Sequence, residues 1–110
     1  MTAELRIGSC SWSDRSLLAS GWYPPGTSSP AGTLNHYSSR FDTVEVDSTF
    51  YAMPDRTTVF RWGARTPKRF LFNVKAWGLF TWHSVNYESL PEWVRAEIPR
   101  PPYGRLDFQG

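Results

Sequence analysis

The chain has almost no cysteine and no long apolar run, and both absences limit what it can be. Cys10 is the sole thiol among 110 residues, so an intrachain disulfide is excluded. No apolar stretch approaches the length of a membrane span, and the N-terminal residues lack the apolar core of a secretory signal. We therefore expect a cytoplasmic protein in a reducing environment, with no membrane partner.

Net charge is low, and the familiar catalytic motifs are missing. The formal charge is +2 at pH 7 and the basic residues are scattered, so there is no strong indication of a nucleic-acid partner. The chain contains no glycine-rich dinucleotide motif, no phosphate-binding loop and no GxSxG sequence. A metal site would be built from His83, Glu45 and Asp47, but these residues lack recognisable ligand spacing. The sequence therefore predicts no metal, leaves the cofactor unknown and leaves open whether the protein is an enzyme.

Aromatic and turn-forming residues are abundant, with six Trp, five Tyr, seven Phe, nine Pro and eight Gly. Between the turns, strand-like runs alternate with helical ones. Strands are predicted over residues 5–8, 43–47 and 69–75, and helices over residues 30–40 and 58–65, the latter with Val59 and Trp62 facing inward. This β-α-β-α-β order predicts an α/β fold with a parallel sheet and right-handed crossovers.

The remaining segments are predicted to carry less regular structure. Residues 48–54 are interpreted as a loop leaving the second strand, residues 76–87 as irregular, and residues 89–98 as a short helix capped by Ser89. No further strand is predicted before Gly110. Three parallel strands leave two open edges, so we expect residues 1–110 to form a single incomplete domain or to self-associate through those edges.

Polar side chains concentrate in two stretches, residues 45–51 and 75–83. Alternation places Glu45 and Asp47 on one face of the second strand, and Lys75 on the corresponding face of the third. Two interpretations remain open: an ion-pair network that also includes Arg6, and a site where Lys75 and an acidic partner bind a ligand. His83, in the loop after the third strand, is either solvated or a second acid–base group.

Several ordered motifs resemble those of a known family. They are Ile7-Gly-Ser-Cys-Ser-Trp12, Trp22-Tyr-Pro-Pro-Gly26, the run from Tyr37 to Tyr51, Arg61-Trp62 with Arg65-Thr-Pro67, and Phe72-Asn-Val-Lys-Ala76 followed by Thr81 and His83. Over residues 5–83 the chain resembles the N-terminal portion of the domain-of-unknown-function 72 family, also called YecE-like. The resemblance implies a partial TIM (β/α)8 barrel, roughly its first three βα units. Residues 84–110 would then be a proline-rich loop and short helix leading to missing strands.

The resemblance also implies which positions form a site, although the family has no established reaction. Its recurrent polar positions correspond to Glu45, Ser48, Thr49, Tyr51, Lys75 and His83. The chain departs from the pattern at Asp47, where relatives often have Asn, and at Trp82, which separates Thr81 from His83. We therefore take Lys75, Glu45 and His83 as catalytic candidates, and Asp47, Ser48, Thr49, Tyr51 and Trp12 as ligand contacts.

Three functional hypotheses follow from these residues. The first is a truncated barrel that binds a small polar or anionic ligand at the C-terminal rim of its strands and is inactive alone. The second is a metal-dependent barrel acting on sugars or sugar phosphates, by analogy of fold. The third is a non-catalytic fragment or binding module.

Overall fold

The structure is a computed structural model that describes residues 2–107, and it forms two compact units. The first unit runs to Val46 and resumes over Asp55–Asn73, and the second comprises Asp47–Pro54 and the residues from Val74 onwards. The fold is mixed α/β, with short parallel strands and helices. In chain order the elements are α1 (Arg15–Ala19), α2 (Pro30–Arg40), β1 (Thr43–Val46), α3 (Ser48–Tyr51), α4 (Arg56–Ala64), β2 (Leu71–Val74), β3 (Val85–Asn86), α5 (Glu92–Arg95) and β4 (Arg105–Leu106), with 3-10 turns at Gly78–Thr81 and Tyr87–Ser89.

The longest helix of the first unit, α2, has the predicted bounds. Ser29 caps it, since its hydroxyl oxygen accepts a hydrogen bond from the Gly32 amide at 3.0 Å, and Pro30 occupies the first turn. Leu34 and Tyr37, three residues apart, are both completely buried. The capping sequence and the apolar spacing therefore agree, and the prediction of this helix is confirmed.

Strands β1 and β2 are neighbours in a two-stranded sheet, and both are shorter than predicted. The Thr43 hydroxyl donates to the carbonyl oxygen of Leu71 at 2.9 Å, and the Leu71 amide donates to that of Asp42 at 3.1 Å. The core of this unit consists of Tyr37, Val44, Val46 and Phe70, surrounded by partly buried aromatic side chains. The burial of Val44 and Val46 follows the alternation predicted for β1.

The strand predicted over residues 5–8 is wrong, because side chains take two of the backbone amides that a regular ladder would use. The amide of Ile7 donates to the Asp42 carboxylate at 2.7 Å, and that of Ser9 donates to the Tyr37 hydroxyl at 2.7 Å. Instead, a single parallel bridge joins Cys10 to β1. The two chains approach closely here, since a Cβ atom on Gly8 would lie 1.9 Å from a backbone oxygen of β1.

The second predicted helix, α4, begins slightly earlier than expected and packs only one of its two predicted inward residues against the core. Asp55 is the cap, and its carboxylate accepts a hydrogen bond from the Thr58 amide at 2.7 Å. That bond lowers the pKa of Asp55 below its usual value. Trp62 packs against the core, but Val59 is 48% exposed, so the expectation that both face inward is wrong for Val59.

The second unit contains more regular structure than the sequence indicates. Residues 48–51 form the one-turn helix α3 rather than a loop, and strands β3 and β4 form an antiparallel pair where no strand is predicted. Gly104, with a φ of 69°, lets the chain turn into β4, and its carbonyl accepts a hydrogen bond from the Tyr87 amide at 2.8 Å. These elements have two to four residues, too few to show periodicity in the sequence.

The last helix, α5, is shorter than predicted because of a proline. Pro91 disfavours helical backbone at the preceding residue, and Leu90 is extended, with a ψ of 145°. Ser89 therefore cannot cap the helix, which begins at Glu92, and its hydroxyl donates to the Asn86 carbonyl at 2.6 Å. Trp77, Val85 and Leu90 form the core of this unit. Within residues 2–107, no helix has the length and apolar character needed to cross a membrane.

Candidate ligand-binding site

Two of the predicted site residues directly follow neighbouring strands. Asp47 comes after β1 and Lys75 comes after β2, and both belong to the second unit. In parallel sheets the loops at the carboxyl ends of strands carry most binding sites. One of the two interpretations put Arg6 in an ion-pair network with these residues, but Arg6 pairs with Glu4 at 2.8 Å and donates to a backbone carbonyl at 2.6 Å.

Lys75 is held by its backbone while its side chain stays exposed. The Thr49 hydroxyl, in α3, donates to the Lys75 carbonyl oxygen at 2.6 Å, and Thr49 is only 3% exposed. The Lys75 ammonium lies 5.2 Å from the centre of the Phe50 ring, within the range of a cation–π contact. Thr49 thus holds the backbone of Lys75, and the Phe50 ring contacts the ammonium group at the end of its side chain.

His83 contacts the same aromatic ring. Its imidazole lies 5.1 Å from the Phe50 ring in an edge-to-face arrangement, and its Nδ1 is 2.7 Å from the Thr81 hydroxyl oxygen. The His83 amide donates to the Gly78 carbonyl at 2.9 Å, which closes the turn. Phe50, which the sequence analysis did not single out, is therefore the side chain that Lys75 and His83 share. We call the three side chains the Phe50 cluster.

A tight turn leads into His83. Trp82 adopts a left-handed conformation with a φ of 64°, which is strained for a bulky residue, and its side chain is 79% exposed. Gly78 lies so close to α3 that a Cβ atom there would be 3.1 Å from the Phe50 carbonyl oxygen. Trp82 is thus accommodated in the turn between Thr81 and His83, and the His83 ring contacts Phe50.

The other predicted ligand contacts of the second unit surround α3. Ser48 is exposed, and Tyr51 is 71% exposed with its ring 5.3 Å from that of Phe50. Asp47 occupies the cap position of α3 but makes no side-chain capping bond. Its half-buried carboxylate is therefore not committed to holding the helix.

Glu45 and Trp12 belong to the first unit. Glu45 is exposed, and its carboxylate lies 3.7 Å from the Cys10 thiol. Trp12 is partly buried and packs edge-to-face on Trp62 at 5.6 Å. Its carbonyl accepts a hydrogen bond from the Tyr23 hydroxyl, whose pKa burial raises to about 12. Trp12 thus has a packing role in addition to any contact with a ligand.

The fold and the site together define an α/β protein with polar and aromatic side chains clustered after neighbouring parallel strands. The chain belongs to the family described as protein of unknown function DUF72, whose model matches residues 6–98. It is 39% identical over 101 residues to the UPF0759 protein YunF of Bacillus subtilis (strain 168). The match covers 88% of this chain and 34% of that relative, so the chain spans about a third of the relative's length. No solved structure matches the chain.

Proposed function

We propose that this chain contributes part of the rim of a (β/α)8 barrel, and that the rim binds a small polar or anionic ligand. The parallel pair β1 and β2, connected through α4, is consistent with one βα repeat of such a barrel. A barrel of this type takes about 250 residues, and the chain corresponds to 34% of its relative's length. In barrels, ligands bind at the carboxyl ends of the strands, where Lys75 lies.

Lys75 supplies the charge in this proposal. Its ammonium is exposed, it contacts the face of Phe50, and no acidic side chain pairs with it among the described residues. A phosphate or carboxylate would therefore not have to displace an existing partner. The carboxylate of Asp47 makes no capping bond to α3, which leaves it available to orient a polar ligand or to accept a proton.

His83 supplies acid–base chemistry, and its hydrogen bonds indicate which nitrogen is basic. The Thr81 hydroxyl has one proton, which it donates to the Gly78 carbonyl at 3.1 Å. The hydroxyl oxygen of Thr81 lies 2.7 Å from Nδ1 of His83, and we assign Nδ1 as the donor to it, which puts the proton of the neutral ring on Nδ1. Nε2 remains the basic nitrogen and is the atom that would exchange a proton with a ligand.

The observation that carries the proposal is the position of the Lys75 ammonium, 5.2 Å from an aromatic ring that His83 also contacts. The experiment is an NMR titration of the 110-residue protein with inorganic phosphate, acetate and glucose. We expect at least one of the three to shift the signals of the Phe50 cluster. Lys75→Met should weaken that binding about tenfold or more, as expected for losing a hydrogen bond to a charged group.

Lys68→Met is the matched control, because Lys68 is an exposed lysine in the turn before β2, at the other end of the strand. It should leave the titration unchanged, since it alters the net charge by the same amount without altering the cluster. Absence of any shift with all three probes, or equal binding by the wild type and Lys75→Met, would show that the proposed site is wrong.

A further inference from the structure

The second unit contains a cleft beside the Phe50 cluster, in which the charged residue is an arginine rather than a lysine. It has a volume of about 350 Å³, and its lining includes Phe50, Tyr51, Ser84, Asn86, Ser89 and Arg105. All of these residues belong to one compact unit. The volume is at the lower end of the range for small-molecule sites. Aromatic side chains from α3 contribute part of the lining, and the paired strands β3 and β4 with their flanking turns contribute the polar part.

Arg105 is held in place, yet much of its hydrogen-bonding capacity is unused. Its Nε donates to the Ser84 hydroxyl at 2.9 Å, and its Nη2 donates to the Ser84 carbonyl at 2.8 Å. These two bonds use two of the five N–H groups of a guanidinium and fix its plane. Since β4 pairs Arg105 with Asn86 of β3, its backbone is also held in register. Three N–H groups remain, in a geometry suited to a carboxylate or phosphate.

The other polar groups of the cleft are also suited to an acceptor-rich ligand. The Ser84 hydroxyl accepts from Arg105, so its own proton is available to a ligand. The Asn86 side-chain oxygen accepts a hydrogen bond from the Glu88 amide at 3.1 Å. The side-chain NH₂ of Asn86 is therefore the group that can donate to a ligand. Arg105 is the one charged residue in the lining of this described cleft, and no carboxylate opposes it.

The aromatic side chains of the cleft favour a ligand that carries a ring. Tyr51 is 71% exposed, and its ring stands edge-to-face to Phe50 at 5.3 Å between ring centres. Aromatic rings beside a guanidinium group favour a ligand that has a flat apolar body and an anionic end. We propose that the Arg105 cleft binds a small ring-bearing anion, with the carboxylate or phosphate on Arg105 and Ser84 and the ring against Tyr51 and Phe50.

This inference goes beyond the proposed function, because its charged residue is Arg105 rather than Lys75. Four probes separate the contributions of ring and charge: phenyl phosphate, benzoate, benzyl alcohol and inorganic phosphate. NMR titration of the full chain should give shifts at the Arg105 Nε–H and at the amides of Ser84 and Asn86. Phenyl phosphate or benzoate should bind at least about tenfold more tightly than both benzyl alcohol and inorganic phosphate.

The variants are chosen so that loss of folding is not mistaken for loss of binding. Arg105→Met should weaken binding of the ring-bearing anion about tenfold or more, while Arg105→Lys, which keeps the charge, should recover only part of the loss. Arg56→Met is the charge-matched control, since Arg56 is exposed in α4 of the first unit. Ser84→Ala removes one ligand donor and keeps the arginine, and it should weaken binding less than Arg105→Met.

The outcomes distinguish this cleft from the Lys75 site. Binding that is lost in Arg105→Met and retained in Lys75→Met supports the cleft, whether or not inorganic phosphate binds at Lys75. Binding that is lost in Lys75→Met and retained in Arg105→Met overturns it, as does equal affinity for the ring-bearing anion and the neutral alcohol.

Discussion

Thr49→Val tests how the second unit positions Lys75. The substitution keeps the shape of the side chain but removes the hydroxyl that donates to the Lys75 carbonyl at 2.6 Å from a residue that is 3% exposed. A hydrogen bond of this kind contributes about 1 kcal/mol net to stability. We expect the free energy of unfolding to fall by about 1 kcal/mol and the melting temperature by about 5 °C.

Urea unfolding followed by tryptophan fluorescence measures this loss, with Thr57→Val as the matched control. Thr57 is exposed in α4, and the same β-branched exchange there should change stability much less. The variant should also bind the Lys75 ligand more weakly than wild type but more tightly than Lys75→Met, since the ammonium remains while its anchor is lost. Equal stability and equal binding of Thr49→Val and Thr57→Val would refute the positioning role.

Two further predictions concern titratable side chains. Thr81→Val removes the acceptor for Nδ1 of His83, so the neutral ring should shift toward the Nε2-protonated tautomer. Imidazole ¹⁵N shifts at alkaline pH measure this change. An unchanged tautomer would contradict the assignment of Nε2 as the basic nitrogen. The pKa of Asp55 is lowered by capping bonds, so its stabilising effect is present above its usual value of 3.8 and is lost as pH falls through the lower folded-state value. Asp55→Asn should therefore flatten the acid limb of the stability curve below about pH 4, and an identical acid limb in both proteins would contradict the capping account.

Elements with both local and periodic signals were predictable from the sequence. Helix α2 combines a serine cap, a proline in its first turn and apolar residues three apart, and its bounds are those predicted. The predicted alternation of β1 is also observed, since Val44 and Val46, on the face opposite Glu45, are buried. The family resemblance was also confirmed, by a match over residues 6–98. The two structural agreements, in α2 and β1, share one cause, since several independent preferences indicate the same structure at those positions.

Elements defined by long-range partners were not predictable. The segment before Cys10 is extended beside β1, but Asp42 and Tyr37 take its amides, and nothing local indicates this. The pairing of β3 with β4 depends on a turn at Gly104 and involves only two residues in each strand. The expected association through open sheet edges stays a prediction.

The candidate site was predicted as two polar stretches, and the structure adds the ring that connects them. Lys75 and His83 are predicted site residues, and that assignment stays a prediction; Phe50, which both contact, was passed over as an apolar residue in a predicted loop. Its position between polar residues of the family motif was the available signal. Arg105 lay in a tail with no recognisable motif, and its importance follows only from its bonds to Ser84.

Whether Lys75 binds a ligand can be decided from the response of its own side chain to an anion. Lysine Cε–Hε signals of the 110-residue protein would be followed by ¹H–¹³C NMR during a phosphate titration, with Lys68 as the internal reference in the same spectrum. We predict a saturable shift of the Lys75 signals and a parallel shift of the His83 ring signals, while the Lys68 signals do not move. Equal, non-saturating shifts of both lysines would contradict it, because they would mean that phosphate only screens surface charge.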